Sequence, residues 1–431
     1  MNLNHFLHEK ILLSISDLLT NQRVNHYLGL LAEAETWDCE QTKSFQEERL
    51  HGLLNYVNAK VPFYREWFRD HGFSPDSVSL DEMPIVNKPL MREEGIERFA
   101  AEGFPMKQRI TSRSSGSTGE PFTYYESKLS YSVNMAAKLR TWYQAGYHLG
   151  DRYMKIANSD RSGKWKQIQD KINHCLYVPF YHIEDGLLET VLNTIEKKKP
   201  EFIRSYPGPL YLLAQYRLSH PGYSFVPCRI FTTGSTLYEA YREVVERAFG
   251  CDVIDSYSCE GTPNVYETPA HYGYRVTEYY GIIEVLDEYD QTVTDGIGRV
   301  VSTDLWNYAH PFLRYDTQDL VEVRNGKIIN IIGRNSDILS CGNGMVFTVH
   351  NFSHFFLHEI NAVEAYQVVR HKNNAVTFRL VVNSLFNSNI QKQVVDFWQK
   401  QLGMPVAVEL VNEIPLMNNN KHITIIDETV E

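Results

Sequence analysis

The chain has 431 residues, 43% of them apolar, which is more than one hydrophobic core usually organises, so two or three packed units are expected. Its 53 acidic against 42 basic residues give a formal charge of -11 without any long basic run, which argues against a dedicated nucleic-acid binder. Six cysteines, none in C-x-x-C spacing, argue against a structural zinc site or a dithiol redox motif and make a reducing cytoplasm the simplest setting.

From the N-terminus, Phe6, Leu7, Ile11, Leu12, Ile15, Leu18 and Leu19 recur at helical spacing with charges between them. That is the pattern of an amphipathic helix packed on the body, not of a signal peptide. Nowhere does a run of about 18 uncharged apolar residues occur, so no transmembrane segment is expected. Leu50, Leu53, Leu54 and Val57 form the stripe of another helix, Pro62 interrupts it, and Trp67 and Phe68 resume, so residues 1–75 read as an opening helical segment.

Between 108 and 333 the pattern changes to short apolar or alternating runs separated by helical stretches, as in Arg229 to Thr233, Glu239 to Phe249 and Asp252 to Asp255. Strand alternating with helix marks a layered α/β core. From 279 onward β-type runs dominate (Tyr280 to Val285, Gly298 to Ser302, Leu320 to Val323, Lys327 to Ile332), and Asn325-Gly326 has the chemistry of a two-residue hairpin turn. Past Gly333-Arg334, Ala375 to Val382 reads as a strand and Asn389 to Leu402 as an amphipathic helix. The expected class is therefore α/β: a large multi-layered N-terminal domain, 1–333, followed by a small α+β domain, 334–431.

The stretch from Thr111 to Pro121 is rich in hydroxyls and glycine. Such a loop can aim backbone N–H groups and hydroxyls at phosphate oxygens, because glycine permits the close approach. It lacks the Gly-Lys-Ser/Thr of a Walker loop and the G-x-G-x-x-G of a dinucleotide fingerprint.

Within it, Ser115-Gly-Ser-Thr-Gly119-Glu-Pro121 resembles the S-G-T-T-G-x-P phosphate loop of adenylate-forming enzymes, the acyl-adenylate or ANL superfamily. Val61 to Arg65 and Leu80 to Lys88 resemble two segments of its narrower phenylacetate-CoA ligase and capsule-biosynthesis group. Further similarities follow in family order: Thr232-Thr-Gly234-Ser235-Thr to the adenine-lining segment, Ser256-Tyr257-Ser-Cys-Glu260 to Y-G-x-T/S-E, and Arg314-Tyr-Asp-Thr-Gln-Asp319 to R-Y-R-T-G-D. Gly333-Arg334 resembles the hinge motif, and Ile414 to Lys421 the terminal lysine motif.

The resemblance implies a fold with a mobile C-terminal lid, ATP and Mg²⁺ as cofactors, and a carboxylic acid as substrate. Ser115, Gly116, Ser117, Thr118 and Gly119 would hold phosphates, and Gly234, Ser235, Ser256 and Tyr257 would border adenine. Asp319 would accept hydrogen bonds from the ribose hydroxyls, a role suited to an acceptor-only carboxylate. Glu260 would hold Mg²⁺, Arg334 would reach the nucleotide, and Lys421 would lend charge where carboxylate and α-phosphate meet. The acyl group would pass to a thiol of coenzyme A or a carrier protein, or to an amine in surface-polysaccharide biosynthesis. Departures at Glu120, Ser235, Gln318 and Ser336 motivate a third reading, a catalytically degenerate nucleotide-binding scaffold. Tyr266 to His271 holds no cysteine, so no zinc is expected.

Overall fold

A computed structural model describes residues 3–113, 123–157, 163–179, 186–269, 273–334, 338–340, 346–348, 352, 355–356, 360, 362–414 and 424–429. The chain divides into two compact units, one built from Met1–Arg113 and Thr123–Ile331, the other containing Ile332–Glu431.

The first unit opens with helices, among them Val24–Ala34, Cys39–Lys60 and Pro62–His71. Asp38 and Gln41 form a reciprocal capping box at the start of the second, which satisfies two backbone donors that the helix leaves open. Pro62 lacks the N–H that would continue that helix, and its fixed φ suits the first position of the next. Leu53, Leu54, Val57, Tyr64 and Phe68 are buried along the joined stripe. A short antiparallel pair follows, β1 (Arg109–Arg113) with β2 (Thr123–Ser127), and Ser127 caps the helix Lys128–Gln144 by accepting from the Ser130 N–H.

The centre of the unit is a seven-stranded sheet. Its strands are β3 (Tyr153–Ala157), β4 (Cys175–Pro179), β5 (Phe202–Ser205), β6 (Arg229–Thr233), β7 (Val253–Tyr257), β8 (Val265–Glu267) and β9 (Tyr274–Val276), in the order β4-β3-β5-β6-β7-β8-β9. The first five run parallel and the last two antiparallel. Parallel strands need crossover connections, and helices Leu187–Lys198, Pro207–Ser219 and Glu239–Phe249 supply three of them, meeting one sheet face through Val191, Leu210, Leu213 and Val245. The helix Lys128–Gln144 reaches the opposite face, where Trp142 joins Tyr147, Phe202 and Phe231.

A second sheet has four strands: β10 (Gly281–Leu286), β11 (Gly296–Asp304), β12 (Tyr315–Arg324) and β13 (Lys327–Arg334), paired in chain order. Asn325 at φ +50 and Gly326 at φ +70 join the last two in the left-handed turn that matches strand twist. Val265 of β8 packs with Val300, Val321, Val323 and Ile331, so the far end of the large sheet shares a core with the small one.

In the second unit β14 (Ile338–Ser340) pairs with β15 (Val346–Thr348). A four-stranded sheet joins β16 (Val363–Arg370), β17 (Val376–Val382), β18 (Val406–Leu410) and β19 (Ile425–Asp427) in the order β18-β17-β16-β19. The helix Ser388–Leu402 buries Val394, Trp398 and Leu402 in a core that includes Phe352, Phe356 and Phe378. Sheet and helix together make this unit α+β.

Candidate active site

Open α/β sheets bind ligands beyond the carboxyl ends of their parallel strands. β6 ends at Thr233, and the chain turns through Gly234 at φ +81 before the exposed Ser235. A Cβ on Gly234 would lie 2.6 Å from Cε1 of Tyr206, so glycine alone lets the turn rest against that ring. Tyr206 follows β5 directly and precedes the helix Pro207–Ser219.

β7 carries Ser256 and Tyr257, which point to opposite faces as successive strand residues must. The Ser256 hydroxyl donates to the Thr232 carbonyl at 2.9 Å. The Tyr257 hydroxyl donates to Oδ2 of buried Asp319 at 2.8 Å. Asp319 sits in an irregular part of β12: Leu320 pairs with Arg299 but Asp316 pairs with Val301, so the intervening residues bulge. Inside the bulge Gln318 takes φ +63 and its N–H donates to Asp316 Oδ1 at 2.8 Å. The Asp319 N–H donates to Thr317 Oγ1 at 3.1 Å, while the Thr317 hydroxyl donates to the Val300 carbonyl at 3.0 Å. Burial, then the charge of Asp319, holds the Tyr257 phenol far above its ordinary value, which keeps it a donor.

The turn after β7 sets Glu260. Gly261, at φ +69, lies so close to Phe312 that a Cβ would fall 2.4 Å from its Cγ. Glu260 Oε2 accepts from Cys259 Sγ at 2.9 Å and pairs with Lys88 Nζ at 3.1 Å. Burial alone would raise the Glu260 carboxyl; the Lys88 charge, with the thiol and backbone hydrogen bonds, outweighs it and leaves the value lowered. Glu260 is therefore ionised at neutral pH. Cys259 is pushed the other way, well above the ordinary thiol range, by burial and then by the charges of Glu260 and Asp319. Both carboxylates thus lie within electrostatic reach of one thiol.

Lys88 carried no site expectation from the sequence. It is delivered by the segment before it: the Val86 N–H donates to the Arg314 carbonyl at 3.0 Å, and the Val86 carbonyl accepts from the Asp316 N–H at 2.8 Å. Asn87 then caps the helix Lys88–Glu94 by accepting from the Leu90 N–H at 2.9 Å. Arg314 is a strut for this arrangement, bonding Glu284 at 2.9 and 3.1 Å and donating through Nη1 to the carbonyls of Asp81 at 2.6 Å and Met83 at 2.9 Å. Two sequence signals touch Lys88: it ends the family-like segment Leu80 to Lys88, and it is a cation in a first helical turn, where the peptide dipoles disfavour it unless a carboxylate faces it. Ser115, Gly116, Ser117, Thr118, Gly119 and Lys421 lie outside the described residues, and Arg334 is the last residue of β13.

No protein-family model matches the chain. It is 24% identical to Protein CapK of Staphylococcus aureus over 401 residues, covering 88% of this chain and 87% of that protein. It is 26% identical to a phenylacetate-coenzyme A ligase of Thermus thermophilus over 334 residues, 71% of this chain and 73% of that one. These similarities support the adenylate-forming superfamily and, within it, the phenylacetate-CoA ligase group. The fold agrees: the crystal structure of 2-hydroxyisobutyryl-CoA ligase in complex with 2-HIB-AMP matches with a TM-score of 0.67 at 18% identity, over 91% of this chain and 90% of the other. Against the R-Y-R-T-G-D pattern of adenylate-forming enzymes, Gln318 occupies a glycine position, and its positive φ shows why glycine suits it. Against the Y-G-x-T/S-E pattern, Tyr257 stands one place nearer Glu260 than the aromatic residue does, and its hydroxyl is bonded to Asp319.

Proposed function

We propose that the protein activates a carboxylic acid with ATP as an acyl-adenylate, releases pyrophosphate, and transfers the acyl group to the thiol of coenzyme A. The observation that carries this reading is the meeting of Tyr257, at the carboxyl end of β7, with Asp319 in the β12 bulge, while Glu260 follows three residues later on an ionised, lysine-held carboxylate. The family resemblance gives Asp319 to the ribose hydroxyls and Glu260 to a metal ion, roles that an acceptor-only group and an anionic oxygen donor can fill.

In the first half-reaction an oxygen of the acid attacks the α-phosphorus of ATP, and pyrophosphate leaves with the electrons of the broken P–O bond. Ser115, Ser117 and Thr118, with the amides of Gly116 and Gly119, hold the phosphates. Gly234, Ser235, Ser256 and Tyr257 border the adenine side, Asp319 accepts from the ribose, and Arg334 adds a contact to the nucleotide. Lys421 offsets the charge as two anions approach. Glu260 is a hard, ionised oxygen ligand, which fits Mg²⁺ shared with phosphate oxygens and water; a bound magnesium ion there would screen the triphosphate. Lys88 keeps Glu260 charged and oriented. In the second half-reaction the thiolate attacks the acyl carbon, AMP departs, and the thiol proton passes to solvent.

A second reading sends the acyl group to an amine, as in a surface-polysaccharide precursor. It is favoured by the reach of the similarity, 88% of the chain for CapK against 71% for the coenzyme A ligase.

The test is acid-dependent exchange of labelled pyrophosphate into ATP. Lys421→Ala should lower exchange by about 10²–10³-fold, the scale of losing one preorganised charge-stabilising group. ATP binding with no exchange across a broad acid panel would leave only the scaffold reading. Mass spectrometry of the product, thioester or amide, separates the two acceptors.

A further inference from the structure

One row of residues crosses the large sheet in register: Tyr177 of β4, Lys155 of β3, Arg204 of β5 and Phe231 of β6. Cross-strand partners share a face, and the Phe231 ring stacks on Trp142 with centroids 5.2 Å apart, so this row lies under the helix Lys128–Gln144. The Arg204 guanidinium carbon is 5.1 Å from the centroid of the same Trp142 ring. Lys138 stands four residues before Trp142 on that helix and therefore on the same side of it.

Lys138 and Arg204 are both partly buried, and among the described residues neither makes an ion pair or a side-chain hydrogen bond. Burial, and then the charge of Arg204, bring the Lys138 ammonium down to about 8, with Glu126 pulling weakly the other way. Arg204 is itself lowered by burial, and its remaining electrostatic neighbours are Tyr153, Tyr206 and Cys175. Two cations drawn out of water with no ion-pair partner among the described residues are costly, and a fold tolerates them where an anion arrives to pair with them.

Their position says which anion. Arg204 precedes Tyr206 by two residues, and the ring of Tyr206 backs Gly234 in the adenine-side turn. Ser256 pairs with Thr233, two residues beyond Phe231, so it belongs to the same face as Arg204 and lies further toward the carboxyl ends. We infer that the acid substrate carries a second anionic group, a further carboxylate or a phosphate, which Lys138 and Arg204 bind. The inference rests on the activation reading above and names the substrate class of that same site.

The experiment measures pyrophosphate exchange with matched pairs, each a diacid and its uncharged half-amide: succinate with succinamate, glutarate with glutaramate, isophthalate with its half-amide. A phosphonate analogue, 3-phosphonopropionate, separates the two kinds of second anion. Diacid or phosphonate should exceed its neutral partner by about 10–100-fold in kcat/KM, the worth of a charge-assisted contact. Lys138→Met and Arg204→Met should erase that preference by raising KM for the charged acid, and Arg204→Lys should restore part of it. Equal exchange with diacids and half-amides overturns the inference while leaving activation intact, as does a rise in KM for ATP alone. Absence of exchange with every acid, in protein that binds ATP, defeats the activation reading and this inference with it.

Discussion

The two faces of the seven-stranded sheet are built to different rules. Met154, Ile156, Ile203, Ile230 and Val253 supply one, and they meet the aliphatic side chains of three crossover helices. The other alternates with it along the same strands, residue by residue, yet carries Tyr153, Lys155, Phe202, Arg204 and Ser256. Strands covered on both faces usually read as continuous apolar runs; Lys155 and Arg204 depart from that rule in the second register, while Thr232 and Asp255, bonded to each other, do so near the carboxyl ends in the first. The contrast teaches that a single strand can bury an aliphatic layer with one set of side chains and carry charged and aromatic groups with the next.

The sharpest way to break that contrast is to cut into the aliphatic face. Leu213→Ala should destabilise by about 2–5 kcal/mol, seen as a lower urea midpoint, while turnover per folded molecule stays as it was. A parallel loss of turnover would mean that the two faces are not separable. Asp319→Asn should do the reverse, raising KM for ATP about 10–100-fold because a charge-assisted acceptor is lost, with little change in the urea midpoint. Gly234→Ala lies between them. With φ at +81 and Tyr206 at 2.6 Å from the new Cβ, it should cost about 1–3 kcal/mol and weaken nucleotide binding together, measurable by calorimetry on one sample.

Proton linkage sharpens the comparison further. Burial lifts the Asp255 carboxyl to about 6 from 3.8, against the lowering hydrogen bonds from Thr232 and Tyr274 and with the charge of Glu267 adding to the rise. Asp304, buried and bonded by Tyr280, is lifted to about 6 as well. The folded state therefore holds these protons more tightly than the unfolded chain does. Their contribution to stability is complete below about pH 4 and is lost as pH rises through about 6. Asp255→Asn should flatten that part of the decline in urea midpoint; an unchanged slope would assign it to other groups. The smallest effect expected is a gain: Gln318→Gly should stabilise by about 0.5–1 kcal/mol by relieving a left-handed conformation, read as a small rise in Tm.

Much of the framework was legible. Arg229–Thr233 and Glu239–Phe249 fall where the periodicity put them, and Asn325-Gly326 forms the expected turn, because alternation and turn chemistry are local properties. The opening helices were equally plain from the stripe ending at Val57 and the break at Pro62. The site was readable only as an ordered set of motifs. Which carboxylate met which partner depended on the bulge in β12 and on Val86 bridging to its first residue, pairings between segments remote in the chain. Lys88 against Glu260 and Arg204 against Trp142 are contacts of that kind, and no window of neighbouring residues encodes them.

The Arg314 strut bears on how the protein can be shortened. A truncation that removed everything before Asn87, intended to isolate a minimal catalytic core, would strip the carbonyls of Asp81 and Met83 from the guanidinium of buried Arg314, and would remove Val86 from its bridge to Tyr315. The opening helices are thus upstream of a tether, and trimming from the N-terminus should stop short of Leu80.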